Sequence, residues 1–300
     1  MVSEDTFKNW GNGPGKTETE KSENAENSVQ KAIAADERLG SMDISVFPQG
    51  SYRARTNVKQ NSDVDICVRL NSTFFPDYPQ GKTGRDFGNS DGSISYVDFK
   101  NYVGSALANY FPAGTVSRGE KAFDVHANTY RIDADVVATL ELRRYTGQLN
   151  ANGSHHYHSG VAFIPDGKTT RIENWPEQAY ENGRTKHDNT GRRYKKMVRI
   201  LKRLRDKMQD EQISAAEDVS SFLIESLVWN VPNEAFDHET YKQDVREVLA
   251  AAFNATITDD ACKSWVEVSH MKWLFRPSQP WTRQKAHDFL SAAWNYLELT

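Results

Sequence analysis

Asp63 and Asp65 flank and enter an apolar run, Val64-Asp65-Ile66-Cys67-Val68, that follows a Gly50-Ser51 pair and a polar stretch. A strand sends alternate side chains to opposite faces, so Val64, Ile66 and Val68 enter a core while both carboxylates project from the other side. Two like charges so placed repel, and they need cationic neighbours, strong solvation or a divalent cation. The commonest fate of such residues is plain solvent exposure. The glycine and serine point further. Gly50 lets the backbone approach a ligand closely, and Ser51 offers a hydroxyl and an N–H to phosphate oxygens. A phosphate site beside paired carboxylates suggests Mg²⁺ bridging protein and nucleotide. The geometry recurs in RIDADVVATLELRRY, where Asp133 and Asp135 share one strand face and Ile132, Ala134 and Val136 the other.

The rest of the chain supplies the frame. Its 300 residues, 38% hydrophobic with seven Trp, suffice for a packed core, and the net charge of −4 gives no general pull toward nucleic acid. Two cysteines offer neither a disulfide framework nor a Cys-based zinc motif, and they suit a reducing, cytoplasmic setting. No stretch approaches the roughly 20 apolar residues of a membrane span, and the N-terminus lacks the apolar core of a signal peptide.

The spacing of Ala25, Val29, Ala32 and Ile33 predicts a helix over Lys21–Leu39 with Gly40 as its cap, followed by a strand at DISVF. Residues 71–95 read as a surface loop and Asp98–Tyr110 as a helix. GSHHYHSG reads as a loop, since one short segment gives poor tetrahedral geometry for zinc. Beyond it, Met197, Ile200, Leu201, Leu204 and Met208 form one helical stripe, and three further amphipathic segments follow. On the same basic helix Lys195, Arg199 and Lys202 fall at i, i+4 and i+7, where they could converge on a triphosphate or simply line a solvated face. The expected organisation is α+β, with residues 1–160 as a core bearing the carboxylates, residues 161–300 as a helical lobe, and nucleotides in the cleft between them.

The segments VFPQGSYRARTNVKQNSDVDICV, DADVVATLELRRY and NWPEQAYENGRTKHDNTGRRYKKMVRILKRLR, taken together, resemble the bacterial CD-NTases of the DNA polymerase β-like nucleotidyltransferase superfamily. These are relatives of the animal cyclic GMP-AMP synthases and oligoadenylate synthetases. The resemblance implies a polymerase β-like nucleotidyltransferase core with a helical C-terminal lobe. It implies that Gly50 and Ser51 form the phosphate-holding turn and that Asp63, Asp65 and Asp135 bind two Mg²⁺ or Mn²⁺ ions. Lys202 and Ser221 then meet the donor phosphates with Arg199 as a helper. Ala138 stands where the family often has Pro, a departure that leaves the chemistry untouched. The implied activity is synthesis of a cyclic di- or trinucleotide from nucleoside triphosphates, ATP among them, for a downstream effector in antiphage signalling. The zinc insertion of the DNA-sensing relatives is not apparent, so activation by double-stranded DNA is not expected. A transferase acting on protein or RNA, and a regulator that binds nucleotide without turnover, are the competing expectations.

Overall fold

The computed structural model describes residues 2–58 and 63–299. In chain order the helices are α1 (Glu4–Gly11), α2 (Lys16–Ala35), α3 (Gly50–Ala54), α4 (Tyr96–Tyr110), α5 (Pro176–Asn189), α6 (Tyr194–Asp210), α7 (Ser221–Asn230), α8 (Tyr241–Ala255) and α9 (Arg283–Tyr296). The strands are β1 (Ile44–Pro48), β2 (Val64–Asp77), β3 (Val116–Arg118), β4 (Phe123–Val125), β5 (Ala134–Leu149), β6 (His155–Phe163) and β7 (Ile172–Asn174). They belong to two compact units: a sheet unit, Gly15–Arg53 with Asn61–Pro176, and a helical unit, Met1–Pro14, Ala54–Gln60 and Glu177–Thr300.

The sheet runs β1-β2-β5-β4-β3, with β6 also on β5 and β7 on β6. β5 is long enough to carry two neighbours on one side: its start pairs with β4 and its later part with β6. Among the described residues only the central pair, β2 with β5, is parallel. Alternation does the sorting. Val64, Ile66, Val68 and Leu70 of β2 and Ala134, Val136, Ala138 and Leu140 of β5 are buried in one cluster with Ala25, Val29 and Ile33 of α2 and Phe99, Val103 and Leu107 of α4. Each of the larger side chains contributes roughly 1.5–3 kcal/mol by leaving water. The odd-numbered positions, including Asp65 and Asp135, take the opposite face.

Three expectations change. α2 starts five residues early and stops at Ala35, because the Asp36 carboxylate accepts the N–H groups of Arg38 and Leu39 and turns the chain. Gly40 is needed for close approach, since a Cβ there would lie 2.9 Å from the Ala34 carbonyl oxygen. β2 continues to Asp77 instead of ending in a loop after Leu70; a bulge between Leu70 and Phe74 absorbs its polar residues and restores pairing with β5. The histidine-rich stretch is strand β6, in register with β5 from Leu140↔Ala162 to Leu149↔His155, so a division at residue 160 falls inside a strand.

In the helical unit Met197, Ile200, Leu201, Leu204 and Met208 are all buried, as the stripe requires, in a cluster that also holds Phe7 of α1, Leu223 and Leu227 of α7, Val248 of α8 and Phe289 of α9. Glu4 ties α1 to α8: its two carboxylate oxygens accept the Tyr241 and Lys242 N–H groups at 3.0 and 2.9 Å. That places an anion on a helix N-terminus, where the macrodipole favours it. Among the described residues no helix is long and apolar enough to cross a membrane.

Candidate active site

The parallel register of β2 and β5 sets Asp65 directly beside Asp135, and the antiparallel register of β4 and β5 sets Asp124 on the other side of Asp135. Three carboxylates therefore form a row across adjacent strands. Asp63 lies just before β2 and is exposed, so it borders this row from the strand end instead of projecting from the strand as expected. Asp133 likewise precedes β5. Its carboxylate accepts the Ala127 N–H at 2.8 Å and its carbonyl accepts the Val64 N–H at 3.0 Å, which makes it a part of the turn.

Gly50 opens α3 at φ +62°, a conformation that disfavours a Cβ, and a Cβ there would come within 2.2 Å of Asp65 Oδ2. The glycine thus gives room to the carboxylate itself. Ser51 follows in the first turn of α3, partly buried. Gly50→Ala is expected to push the Asp65 carboxylate out of the row and to lower activity about a hundredfold, because a displacement of 1 Å suffices for that. Steady-state rates check it, and an unimpaired variant would mean that the close approach does not constrain the site.

Burial pushes Asp65 up to about 6, with Asp135 and then Asp63 adding repulsion. Burial also leads in raising Asp135 to about 6, followed by Asp63 and Asp124, and it raises Asp63, with Asp133 and Asp124 adding to it. Among the described residues no Lys, Arg or His forms an ion pair with Asp63, Asp65, Asp124 or Asp135. A set of uncompensated carboxylate oxygens suits a hard divalent cation such as Mg²⁺. Among the described residues no three His, Cys, Asp or Glu side chains are gathered around one point, and Mg²⁺ is commonly held by one or two carboxylates together with substrate phosphates. The same result applies to His155, His156 and His158, of which His156 Nδ1 stands 3.0 Å from Thr146 Oγ1.

The remaining candidates lie in the helical unit. Lys202 is 2% exposed; its ammonium donates to the Thr56 carbonyl at 3.1 Å and hydroxyl at 3.3 Å and stands 3.6 Å from Glu225 Oε2. Thr56 Oγ1 completes the network by donating to Glu225 Oε2 at 2.9 Å. Arg199 donates to the carbonyls of Gly11 at 2.7 Å and Arg55 at 2.6 Å. Both cations therefore hold the backbone of residues 55–56 in this structure, and they are the residues that the resemblance places at the donor phosphates. Ser221 Oγ accepts from Arg205 at 3.1 Å, and the cap of α7 is Ser220, whose hydroxyl accepts the Leu223 N–H at 3.0 Å.

Residues 181–298 match the family described as the cGAS/DncV-like nucleotidyltransferase C-terminal helical domain. The cyclic dipyrimidine nucleotide synthase CdnE of Legionella pneumophila is 41% identical over 298 residues, covering 98% of each chain. The chain is a bacterial CD-NTase. Two solved CD-NTase structures have the same fold. The Elizabethkingia meningoseptica CdnE cyclic dinucleotide synthase with GTP and Apcpp superposes at TM-score 0.81 with 34% identity, covering 99% of each chain. The Rhodothermus marinus CdnE c-UMP-AMP synthase with Apcpp and Upnpp does so at 0.84 with 27% identity, covering 99% of this chain and 97% of that one. This CD-NTase is accordingly a nucleotidyltransferase of α+β architecture.

Sequence reasoning missed Asp124, Thr56 and Glu225. Asp124 sits in FDV between buried Phe123 and Val125, a strand too short to show a period by itself. Glu225 carried one signal, a lone acid on the otherwise apolar helix LIESLVW.

Proposed function

We propose that this CD-NTase uses divalent cations to join nucleoside triphosphates into a cyclic di- or trinucleotide that a downstream effector reads in antiphage signalling. The observation that carries the reading is the register of Asp65 with Asp135, two carboxylates side by side with no ion-paired cation among the described residues and with Gly50 making room for one of them. Asp63, Asp65 and Asp135 would hold the cations, which when bound neutralise the triphosphate and acidify an acceptor ribose hydroxyl. In each step the hydroxyl oxygen bonds to the α-phosphorus of the donor, the bond to the pyrophosphate oxygen breaks, and pyrophosphate leaves. Asp135, whose proton affinity is raised by burial and by the other carboxylates, is the group suited to accept the hydroxyl proton. Ser51 offers donors to phosphate oxygens beside it.

The test incubates the purified protein with labelled ATP, GTP, CTP and UTP and Mg²⁺ or Mn²⁺, then resolves phosphatase-resistant products. Cyclic products are expected. Labelled protein or RNA would favour a different acceptor, and absence of product would remove the catalytic reading. Within the site, Asp135→Asn is expected to cost roughly a thousandfold in rate. Asp133→Asn should cost only about 1 kcal/mol of stability through its turn hydrogen bond. Initial rates and urea midpoints of the two variants check this, and the reverse ranking would move the ligand to Asp133. For the signalling role, a phage challenge of cells carrying the protein or its Asp63→Ala, Asp65→Ala form should show protection only with the former.

A further inference from the structure

We infer that Thr56 and Glu225 are positioning residues for nucleotidyl transfer: the hydrogen bond between them fixes the chain that carries Gly50 and Ser51. The inference rests on the reading above for the tasks of Gly50 and Ser51, and on the helical unit alone for the anchor itself.

The chain passes from one unit to the other within a few residues. α3 opens with Gly50 and Ser51, the glycine giving room to the Asp65 carboxylate, and it ends at Ala54, which already belongs to the helical unit. A single residue, Arg55, then joins α3 to Thr56, and it does so at φ +55°, a left-handed conformation disfavoured for a residue with a Cβ. Such a conformation persists where its surroundings determine it, and residues of this kind cluster at functional sites. A helix followed by one determined residue transmits orientation, so what holds Thr56 also holds the direction of α3.

The hold on Thr56 is buried and directional. Thr56 is 0% exposed and Lys202 2%. Lys202 donates to the Thr56 carbonyl and hydroxyl, and the hydroxyl's own proton goes to Glu225 Oε2 at 2.9 Å. Arg199 holds the preceding carbonyl, that of Arg55. Glu225 is the one charged residue of α7; burial pushes the Lys202 ammonium down, and Glu225 is the group that most opposes this. A buried charged pair is a weak source of stability, since apolar side chains of similar volume hold a fold together as well. What it supplies here is direction. An apolar contact leaves the Thr56 carbonyl free to turn, whereas three hydrogen bonds from two helices admit one orientation. Reacting groups need that, because a displacement of about 1 Å caused far from the chemistry lowers a rate roughly a hundredfold.

The experiment compares the full chain with its Thr56→Val, Thr56→Ser and Glu225→Gln variants in two measurements, made at a temperature where melting curves show each of them folded. One is initial rates over a range of triphosphate concentrations with Mg²⁺; the other is amide hydrogen exchange of residues 50–58 against that of α6 and α7. Thr56→Val is expected to lower kcat about 10- to 100-fold while KM for each triphosphate stays within about twofold of the wild type. Exchange of residues 50–58 should quicken in the same variant while α6 and α7 keep theirs. Thr56→Ser retains the hydroxyl and should recover most of kcat, and Glu225→Gln, which keeps an acceptor oxygen and loses the charge, should fall between the two. If Thr56→Val does not fold, Glu225→Gln carries the test with the same expected direction. A kcat within about twofold of the wild type in the Val variant, or an equal loss in the Ser variant, would overturn the assignment. So would faster exchange spread over α6 and α7, which is what a purely structural role produces. If residues 50–58 respond as expected but the wild type makes no product from any triphosphate, the nucleotidyl-transfer reading falls and the anchor stands.

Discussion

Asp65→Asn is expected to reduce nucleotide joining by roughly a thousandfold or more and, in EDTA above pH 6, to make the protein more stable than the wild type. The first effect follows from removing a charged oxygen ligand from the carboxylate row. The second follows from linkage. Asp65 has its proton affinity raised from 3.8 to about 6, mainly by burial and then by Asp135, so the folded state is penalised whenever this carboxylate is ionised. The penalty is fully present above about pH 6, declines as the pH falls through that value, and is gone below the unfolded value of 3.8. Two units correspond to roughly 3 kcal/mol at most, and because Asp65 and Asp135 titrate together the gain belongs to the pair. Urea midpoints of both proteins from pH 4 to 8 test this: the difference should grow from about pH 4 to pH 6 and stay level above it. A constant difference across the range would mean that the Asp65 charge is already compensated.

Lys202→Met should cause the largest loss of stability among single substitutions in the helical unit, roughly 3–5 kcal/mol, the usual result of removing one partner of a buried charged network. Glu225 would remain with an uncompensated charge and Thr56 would lose the ammonium that holds its carbonyl and hydroxyl. A double-mutant cycle of Lys202→Met with Glu225→Gln should give a coupling of about 0.5–3 kcal/mol, since the second change relieves part of the first. Chemical denaturation measures both. A midpoint equal to that of the wild type would return Lys202 to the substrate and leave the Thr56 carbonyl with no need of a lysine.

The legible parts of the molecule were those written in local periods. Val64, Ile66 and Val68 announced a strand with one dry face, and Met197, Leu201, Leu204 and Met208 announced a helix with one buried stripe. Pairing register was not legible. Nothing near FDV reveals that Asp124 comes to stand beside Asp135, because the match is made between strands and depends on where each ladder starts. Nor could the basic helix be resolved into its separate roles. Lys195, Arg199 and Lys202 have equivalent positions by spacing, and the partners contributed by Gly11, Arg55, Thr56 and Glu225 distinguish Arg199 and Lys202 from Lys195, which lies over the Tyr180 ring. The extension of β2 past Leu70 was hidden for a similar reason: the strand-poor residues Asn71 and Ser72 are tolerated at a bulge that exists because β5 continues beside them.

The partners of the N-terminal helix and of the Thr56 segment come late in synthesis. The acceptor of the Arg199 guanidinium on Gly11 precedes it by 188 residues, Glu4 precedes Tyr241 by 237, and Thr56 precedes Lys202 by 146. At ribosomal speeds of about 5–20 residues per second, α1 waits on the order of ten to fifty seconds for its partners. By the time α6 is made the strands carrying Asp65 and Asp135 are complete, and until then Thr56 lacks its Lys202 partner. Such distant closures also slow folding, because loop entropy is lost before the contact is gained. A chain that stops before α6 therefore carries every proposed metal ligand but not the Lys202 and Arg199 that hold residues 55–56, so that competence to join nucleotides would mark a polypeptide translated past α6.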